Sequence, residues 1–528
     1  MSLNVEAILQ EPTIRRRREK LRVVANGLSL EDMYGATLGR IQAQGGERSR
    51  FGMMALMWIC HSERPLKADE LCHALGVEIG STYFDPDNVP SIGTLLSCCQ
   101  GLFTVDKEGS TARLVHFTLR EYLSGRPDIF QKPHSVIAET CLTYLNSQLV
   151  ISLPATLPPG TQAIPFLRYS ASYWGTHGKK ELSDDVKSLA LKLLEKYDDH
   201  ISIGLLLGSR YERFYLASKV SRFTGLHCAS FFGLVEVVKS LIEIGSFDIN
   251  QRDPMGITPL GWAARGGHEE VVQLLLGRGD ISPDEPDYDD RTPLLFAAEN
   301  GQEGVAQLLL GRRDVNPDGS LWGGAPLTRA AMNGHEGIVR QLLAQGNVNP
   351  NKIDYGLRTA LSHAAGNGHE GVVQLLLERR DVNPEGLNRR GRTALSYAAE
   401  SGHEGVVQLL LGRGDVNPDR PDNFNRTPLS YAARNGHERV VQLLLGRRDV
   451  YPEGLNRRGR TALSYATENG HEGVVQLLLG QGDVNPKRAD YFGRTPLWYA
   501  EINEHKGVVK LILDWKSSHL LLPQSSEA

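Results

Sequence analysis

The sequence TPLSYAARNGHERVVQLLLGRRDV, from Thr427 to Val450, decides the fold of half the chain. Thr427 can cap a helix because its hydroxyl accepts a hydrogen bond from a free backbone N–H, and Pro428 suits the first helical position because it has no N–H to satisfy. Gly436 is expected to end that helix, since glycine adopts the left-handed conformation at little cost. The second helix is then apolar on nearly every side, through Val440, Val441, Leu443, Leu444 and Leu445, which predicts a helix buried between its neighbours.

This predicted helix pair recurs along the second half of the chain. Its first helix starts every 34 residues, with one step of 33, at Thr224, Thr258, Thr292, Ala325, Thr359, Thr393, Thr427, Thr461 and Thr495. Fourteen residues, EGLNRRGRTALSYA, occur twice without change, at 385–398 and 453–466. The predicted helices have about eight or nine residues, and an isolated helix needs about 12 to 15 residues to persist in water. Units with a fixed period stack on their neighbours, so the sequence predicts a solenoid.

These residues resemble the ankyrin repeat family over about 224–515. The resemblance implies a mainly α fold whose second half is an α-solenoid of about nine ankyrin repeats. It also implies that the solenoid binds other proteins and has no catalysis of its own. Known ankyrin repeats often carry His directly after Thr-Pro-Leu. Here that histidine survives as His227, and the same column holds Ser362, Ser396, Ser430 and Ser464.

The pair His-Glu recurs in the repeats, at His268, His335, His369, His403, His437 and His471. A His-Glu-x-x-His zinc site needs a second histidine four residues on, so that both rings reach one ion from one helical face. Valine holds that position in each unit, as Val441 does after His437. We therefore interpret these histidines as scaffold residues that cap the second helix. We predict no metal site, no cofactor and no catalytic residue.

The segments between units are expected to form projecting tips. The doubled segment places three arginines on each of two tips, Arg389, Arg390 and Arg392 and then Arg457, Arg458 and Arg460. Copying of a two-unit block explains the identity by itself; the functional alternative is that these tips meet a protein partner. Aromatic residues and arginine dominate binding hot spots. The predicted partner-binding residues, on the tip or concave surface, are Tyr288, Trp322, Tyr355, Arg389, Arg390, Phe424, Arg457, Arg458 and Tyr491.

A different pattern precedes the repeats. Residues 51–77, FGMMALMWICHSERPLKADELCHALGV, predict two helices, and 90–101, PSIGTLLSCCQG, a third. Residues 102–117, LFTVDKEGSTARLVHF, predict two strands around the turn Lys107–Ser110, and a helix follows in TLREYLSG. Three helices and a hairpin describe a winged helix. Cys98 and Cys99, adjacent on the third helix, are interpreted as small buried hydrophobic residues.

This segment, with its lead-in LSLEDMYGATLGRIQAQ, resembles the winged-helix region that follows the NACHT nucleotide-binding domain in fungal NLR-like (STAND) proteins. That winged helix is of the GPI inositol-deacylase type. The shared stretches are RPLKADEL, LLSCCQGLFTVD and LVHFTLREYL. The later PFLRYSASYWGTHGKK, with Trp174 and His177, is similar to the helical tail that joins this domain to repeats. The resemblance implies that the winged helix relays or restrains a nucleotide switch.

Two enzyme motifs are missing from the sequence. No Gly-x-Ser-x-Gly nucleophile elbow occurs. A NACHT domain needs the phosphate loop Gly-x-x-x-x-Gly-Lys-Ser/Thr, and the nearest approach, Gly175–Lys180, has its glycines too close together. We therefore expect a protein without its own NACHT NTPase, which was either lost upstream or is supplied by a partner.

Composition points to no polyanionic partner and no membrane. The net charge is −4, no apolar run approaches the 18 or so residues that span a bilayer, and Met1–Gln10 does not read as a signal peptide. Six cysteines without a Cys-x-x-Cys pair fit a reducing compartment, so we expect a cytoplasmic protein. The basic run Arg15–Arg22 is a nuclear import signal, a solvated helix face or a frayed terminus. The predicted third helix, Ser91–Gln100, holds no Lys or Arg, which argues against DNA binding.

The expected domains are an N-terminal basic helical remnant at 1–27, a winged-helix domain at 28–125, a helical connector at 126–220, the ankyrin repeat array at 221–519 and a tail at 520–528. The expected function is a non-catalytic protein-interaction scaffold, the recognition half of a fungal NLR-like signalling protein, with a NACHT-type NTPase as one partner. One alternative is an adaptor or regulatory subunit that delivers a client protein to a separate enzyme. A minor alternative is a winged-helix DNA-binding regulator.

Overall fold

The computed structural model describes residues 13, 15–16, 30–106, 108, 110–154, 164–198, 200–208, 222–245, 247–319 and 324–519. They form two compact units. Unit 1 comprises Met1–Ala263 and Gly277–Ile281, and unit 2 comprises Ala264–Leu276 and Ser282–Ala528. The predicted tail and most of the predicted N-terminal remnant lie outside the described residues. No described helix is both long and apolar enough to cross a membrane.

Unit 1 begins with the elements of a winged helix. They are α1 (Leu30–Ala43), α2 (Gly46–His61), α3 (Ala68–Leu75), a 3-10 turn (Pro86–Asn88), α4 (Ile92–Cys98), β1 (Phe103–Val105), β2 (Ala112–Leu114) and α5 (Phe117–Ser124). The two strands are antiparallel, with Thr104 opposite Arg113. A single bridge between Lys67 and Thr111 adds a third segment to the hairpin. The predicted three helices and hairpin are confirmed.

Local chemistry explains where the winged-helix elements start. Ser91 caps α4, because its Oγ accepts a hydrogen bond from the Thr94 N–H at 3.1 Å. Glu70 caps α3, accepting from the Lys67 N–H at 2.9 Å. Cys98 and Cys99 are fully buried, as predicted, and burial raises the pKa of the Cys99 thiol.

The connector follows in the same unit. Its helices are α6 (Pro133–Leu145), α7 (Gln148–Ile151), α8 (Leu167–Lys180), α9 (Asp184–Leu194) and α10 (Ile201–Gly208). Trp58 of α2 packs on Phe166 and Tyr169, with ring centroids 5.5 and 5.9 Å away, and Phe166 packs on Tyr144 at 5.2 Å. The connector and the winged helix therefore share one aromatic core. The segment Gly175–Lys180 lies inside α8, so it forms no phosphate-binding loop.

Nine helix pairs follow among the described residues, and unit 1 holds the first pair, α11 (Gly225–Phe232) and α12 (Val235–Ile244), with most of α13 (Pro259–Gly266). Unit 2 is a helical solenoid. Its helices are α14 (Glu269–Leu276), α15 (Pro293–Asn300), α16 (Glu303–Leu310), α17 (Pro326–Asn333), α18 (Glu336–Leu343), α19 (Ala360–Asn367), α20 (Glu370–Glu378), α21 (Ala394–Ser401), α22 (Glu404–Leu411), α23 (Pro428–Asn435), α24 (Glu438–Leu445), α25 (Ala462–Glu468), α26 (Glu472–Leu479), α27 (Pro496–Ile502) and α28 (Lys506–His519). The predicted fold class, a winged helix and connector followed by a repeat solenoid, is confirmed.

The first repeat is joined to the connector by an aromatic contact inside unit 1. Phe232 packs on Trp174 with ring centroids 5.3 Å apart. It occupies the space beside Gly175, where any Cβ would collide with the Phe232 ring. Phe231 packs instead on Trp262 of the second repeat, at 5.4 Å. One phenylalanine thus faces back to the connector and the other faces forward along the repeats.

The repeat 427–450 shows why the helices have these ends. The Thr427 Oγ accepts from the Ser430 N–H at 3.3 Å, and Gly436 ends α23 at φ +77°. Both were predicted. The second helix differs from the prediction: Val440, Val441 and Leu444 are buried, but Leu443 and Leu445 are only half-buried. Helical geometry turns these two leucines about 100° to either side of the buried face, towards solvent.

In six repeats, a histidine side chain is hydrogen-bonded to the repeat before it. His437 stands at the N-cap of α24, but its ring makes no capping bond there. Its Nε2 instead donates to the Glu400 carbonyl of the preceding repeat at 2.9 Å. The same bond joins His335, His369, His403, His471 and His505 to the repeat before each. The predicted scaffold role of these histidines stands, and the predicted capping is wrong because the ring points to the neighbouring repeat.

We expect Leu444→Ala to lower the free energy of unfolding of the repeats by about 2 to 5 kcal/mol, because it empties a buried site. Leu443→Ala is the matched control, and we expect a loss below about 1.5 kcal/mol because Leu443 is half-buried. Urea denaturation of the full chain measures both. Equal losses would show that the buried face of α24 is wrongly assigned.

Candidate functional site

Within the described residues of unit 2, six tips are five-residue turns that start on Asp or Asn. In the tip 422–426, Asp422 Oδ1 accepts hydrogen bonds from the backbone N–H groups of Phe424 and Arg426, both at 2.8 Å. The Asp422 N–H donates to the Arg426 carbonyl at 2.9 Å. Such side-chain bonds to the backbone stabilise a turn without help from a neighbour. The six tips with this pattern in unit 2, which we call the tip row, are 287–291, 354–358, 388–392, 422–426, 456–460 and 490–494.

Consecutive tips are also joined backbone to backbone. The Asn423 N–H donates to the Arg390 carbonyl at 2.8 Å, and the Arg457 N–H donates to the Phe424 carbonyl at 3.0 Å. Equivalent bonds run from Arg389 to Gly356 and from Tyr491 to Arg458. The tips from 354 to 494 are therefore one connected strip of backbone. The backbone of this strip is thus held by hydrogen bonds in the free protein, which lowers the entropic cost of ordering it on binding.

The predicted partner-binding residues that the structure describes lie on the tip row and are exposed. Tyr288, Tyr355, Phe424 and Tyr491 are 62%, 57%, 47% and 70% exposed. The four arginines are exposed as well, namely Arg389, Arg390, Arg457 and Arg458. Trp322 lies outside the described residues. Exposure is what a binding role requires, and the role itself stays a prediction.

The third arginine of each doubled segment is not at the surface. Arg392 is 7% exposed, lies 4.1 Å from the Tyr397 ring centroid and 4.4 Å from that of Tyr431, and pairs with Glu400. Arg460 repeats this arrangement between Tyr465 and Tyr499 and pairs with Glu468. The prediction of three exposed arginines per tip is therefore wrong for Arg392 and Arg460, because aromatic rings of two successive repeats enclose them.

From tip 388–392 to tip 490–494, the arginine at the end of a tip has a different partner when the tip starts on Asn than when it starts on Asp. Asp422 accepts from the Tyr431 hydroxyl at 2.7 Å and pairs with Arg426 at 2.7 Å. At the corresponding position Asn456 is neutral. Its Nδ2 donates to the Tyr465 hydroxyl at 2.6 Å, and Arg460 pairs with a glutamate on the helix instead. The doubled segment, with Asn388 and Asn456, thus sets an alternation of two arginine environments from 388 to 494, whereas Asp354 pairs with His363 at 2.7 Å.

Arginine and tyrosine alternate along this side of unit 2, and we call the arrangement the arginine–tyrosine ladder. Its arginines are Arg358, Arg392, Arg426, Arg460 and Arg494, each within 5.3 Å of a tyrosine ring centroid. At the end of the ladder, burial alone would raise the pKa of Asp490, but hydrogen bonds from Tyr499 and Arg494 outweigh it and lower the pKa to about 2. Burial and Asp490 raise the pKa of Tyr499 to about 12. Asp490 is therefore charged and Tyr499 neutral near neutral pH.

A pocket of about 570 Å³ opens between the tips 388–392, 422–426 and 456–460. Its lining residues are Arg390, Phe424, Arg426, Arg434, Asn456, Arg457, Arg458, Arg460, Tyr465 and Glu468. We call it the arginine pocket. Six of the ten lining side chains are arginines and one is a glutamate, so the pocket is strongly cationic on a chain whose net charge is −4.

The arginine pocket brings together four of the predicted residues, Arg390, Phe424, Arg457 and Arg458, and leaves the predicted tyrosines and Arg389 outside its lining. Sequence reasoning missed its other members. Arg434 comes from the end of α23, and Tyr465 from α25. A signal for the ladder was present in the sequence: an aromatic residue follows the Asp or Asn of the tip after nine positions, as Tyr431 follows Asp422.

A second cluster, in unit 1, contains residue types that bind metals. Ligand atoms of Glu63, His134 and His177 lie within 4.8 Å of one another. The Lys180 ammonium is 2.6 Å from the Glu63 carboxylate, and the two histidine rings share a hydrogen bond at 2.8 Å. Burial and the neighbouring cations lower the pKa of His177 to about 3. The cluster is thus satisfied as a hydrogen-bonded link between the segment that follows α2 and the helices α6 and α8.

The fold and the tip row define a protein of tandem helical repeats that carries a winged helix. Comparison with protein families matches "Ankyrin repeats (3 copies)" at residues 226–319, 313–386, 380–453 and 448–520. It also matches "GPI inositol-deacylase, winged helix domain" at residues 40–128. The ankyrin matches cover more than half of the chain, so this protein belongs to the ankyrin repeat family, as its sequence predicts. The matches indicate no enzymatic family. A search of curated proteins finds no match.

We expect Arg392→Met to lower the free energy of unfolding by about 1 to 3 kcal/mol, because it leaves Glu400 and the stacked tyrosine rings without their cation. Arg389→Met, three residues away on the same tip, is the control. It should change stability by less than about 0.5 kcal/mol because Arg389 is exposed. Thermal or urea unfolding of both variants measures the difference. If Arg389→Met is as destabilising as Arg392→Met, the separation into buried and surface arginines is incorrect.

Proposed function

We propose that this protein is a non-catalytic interaction scaffold whose tip row binds a protein partner. The observation that carries the proposal is the connected strip of backbone from 354 to 494, which carries exposed aromatic residues and arginines. These residue types contribute most to hot spots at protein interfaces. The proposed contact residues in the described part of the tip row are Tyr288, Tyr355, Arg389, Arg390, Phe424, Arg457, Arg458 and Tyr491.

We also propose that the protein is the recognition part of a fungal NLR-like signalling system in the cytoplasm. The match of residues 40–128 to a winged helix of the GPI inositol-deacylase type supports this role. A second support is the tight joint in unit 1, where Phe232 of the first repeat packs on Trp174 of the connector. A change of strain in the first repeat would pass through this contact to the connector, which shares an aromatic core with the winged helix. All six cysteines are described, buried and unpaired, which suits a reducing compartment.

In this proposal the winged helix contacts protein, and a NACHT-type NTPase is the expected second partner. Helix α4 would enter the groove of DNA in a winged-helix complex. It carries no Lys or Arg, and its exposed side chains include Thr94 and Ser97. Phosphate contacts supply much of the affinity for DNA, so this helix favours a protein role. We retain the proposed domain limits, with the winged helix at 28–125, the connector at 126–220 and the repeats at 221–519.

We expect the combined change of Arg389, Arg390, Arg457 and Arg458 to Glu to weaken capture of the partner by about tenfold or more while the melting temperature stays nearly constant. The physical reason is that these side chains are exposed and make no ion pair within the described residues. Capture from cell extract by the full chain, followed by quantitative mass spectrometry, measures the effect.

A matched control changes four exposed arginines of unit 2 that lie outside the tip row, namely Arg313, Arg380, Arg439 and Arg448, to Glu. It carries the same change in net charge. Equal capture by the tip-row variant and the wild type, or equal loss in both variants, would contradict the proposed surface. The captured proteins also separate the roles, since NACHT-type proteins favour the NLR-like role and ligase or kinase subunits favour an adaptor.

A further inference from the structure

We infer that the arginine pocket is an anion-binding site that receives a polyanionic group of a protein partner, either a phosphoryl group or clustered carboxylates on an acidic segment. This inference rests on the proposed function, because it names the chemistry that one part of the tip row would recognise. It does not require that the aromatic residues elsewhere on the tip row share the same contact.

The first support is the number of uncompensated cations. Of the six arginines in the pocket, Arg426 pairs with Asp422 and Arg460 pairs with Glu468. The other four are Arg390, Arg434, Arg457 and Arg458, and no described carboxylate lies within ion-pair distance of them. Four unpaired guanidinium groups around 570 Å³ repel one another. An anion that enters the pocket offsets this repulsion. The cluster of arginines therefore favours an anionic occupant.

The second support is that hydrogen bonds and ring contacts hold several of the segments and side chains that line the pocket. The backbone bonds between tips fix the segments that carry Arg390 and Arg457. The ladder fixes two further guanidinium groups, since Arg460 lies 4.3 Å from the Tyr465 ring centroid and Arg426 lies 4.9 Å from that of Tyr431. Planar guanidinium groups bind carboxylate and phosphate in bidentate fashion, and a fixed array loses little entropy on binding.

The third support concerns the kind of molecule that fits. A pocket of about 570 Å³ suits one or two side chains rather than a duplex. Phe424, at its rim, is 47% exposed and offers an apolar face, with the Arg457 guanidinium 5.8 Å from its ring centroid. The tips on either side present Tyr355 and Tyr491, so an extended peptide would continue onto neighbouring aromatic contacts. Acidic and phosphorylated motifs are commonly recognised by such arginine clusters.

The test measures binding of labelled probes to the full chain by fluorescence anisotropy. The probes are a hexaglutamate peptide, a short Gly-Ser peptide with a central phosphotyrosine, the same peptide with tyrosine, and oligothymidylate. We expect the hexaglutamate or the phosphopeptide to bind, the tyrosine peptide to bind at least about tenfold more weakly, and salt to weaken binding. The stronger of the two anionic peptides identifies the source of the negative charge.

The pocket variant is Arg434→Glu with Arg458→Glu, and its matched control is Arg380→Glu with Arg448→Glu, two exposed arginines outside the pocket. We expect the pocket variant to lose about tenfold or more in affinity and the control less than about twofold. Arg434→Gln with Arg458→Gln keeps the test valid if the glutamate variant unfolds. No binding of either anionic peptide, equal loss in pocket variant and control, or tightest binding to oligothymidylate would overturn the inference.

Failure of this inference is distinguishable from failure of the proposed function. If the anionic peptides do not bind but Tyr355→Ala with Tyr491→Ala still weakens capture of the partner from extract, the tip row remains the binding surface. In that outcome the arginine pocket takes no part in binding the partner.

Discussion

An eight-residue helix is not stable alone in water, so the short helices of unit 2 depend on contacts with the neighbouring repeats. The bond from each histidine to the carbonyl of the preceding repeat shows this most clearly. His471 reaches the Arg434 carbonyl by passing over Gly436, where a Cβ would come within 2.6 Å of the ring. Gly436 therefore serves two needs, the left-handed end of its own helix and the space for the next repeat. Stability in such a stack is a sum of contacts between nearest neighbours.

Contacts between repeats satisfy the carbonyl groups at the helix ends, while the tips keep exposed side chains. Arginines of the following repeat donate hydrogen bonds to carbonyls at the ends of the second helices. The Arg447 guanidinium, for example, donates to the Leu411 carbonyl at 3.2 Å. Beneath the tips, the arginine–tyrosine ladder fixes one arginine per tip, while Arg390 and Arg458 remain at the surface. The same residue type thus has two roles in one turn, one in packing between repeats and one at the surface.

The sequence predicted those features that depend on a single repeat. Thr427, Pro428 and Gly436 set helix ends by local chemistry, and the hydrophobic pattern of 51–117 predicted the winged helix because each of its elements is amphipathic or strand-like by itself. Features that need two repeats could not be read in this way. The partner of His437, the burial of Arg392 and the partial exposure of Leu443 depend on how far one repeat is rotated against the next. The arginine pocket needs three repeats, since Arg390, Arg434 and Arg457 come from three separate segments.

Native-state hydrogen exchange of the full chain with Gly436→Ala tests the central claim, which is that each repeat depends on its immediate neighbours. The substitution strains α23 and its contact with His471. The account predicts that amide protection falls in 427–450 and, to a lesser degree, in the adjoining repeats at 393–411 and 461–479, while α1 to α5 keep the protection of the wild type. Loss confined to 427–450, or equal loss across the winged helix, would contradict it.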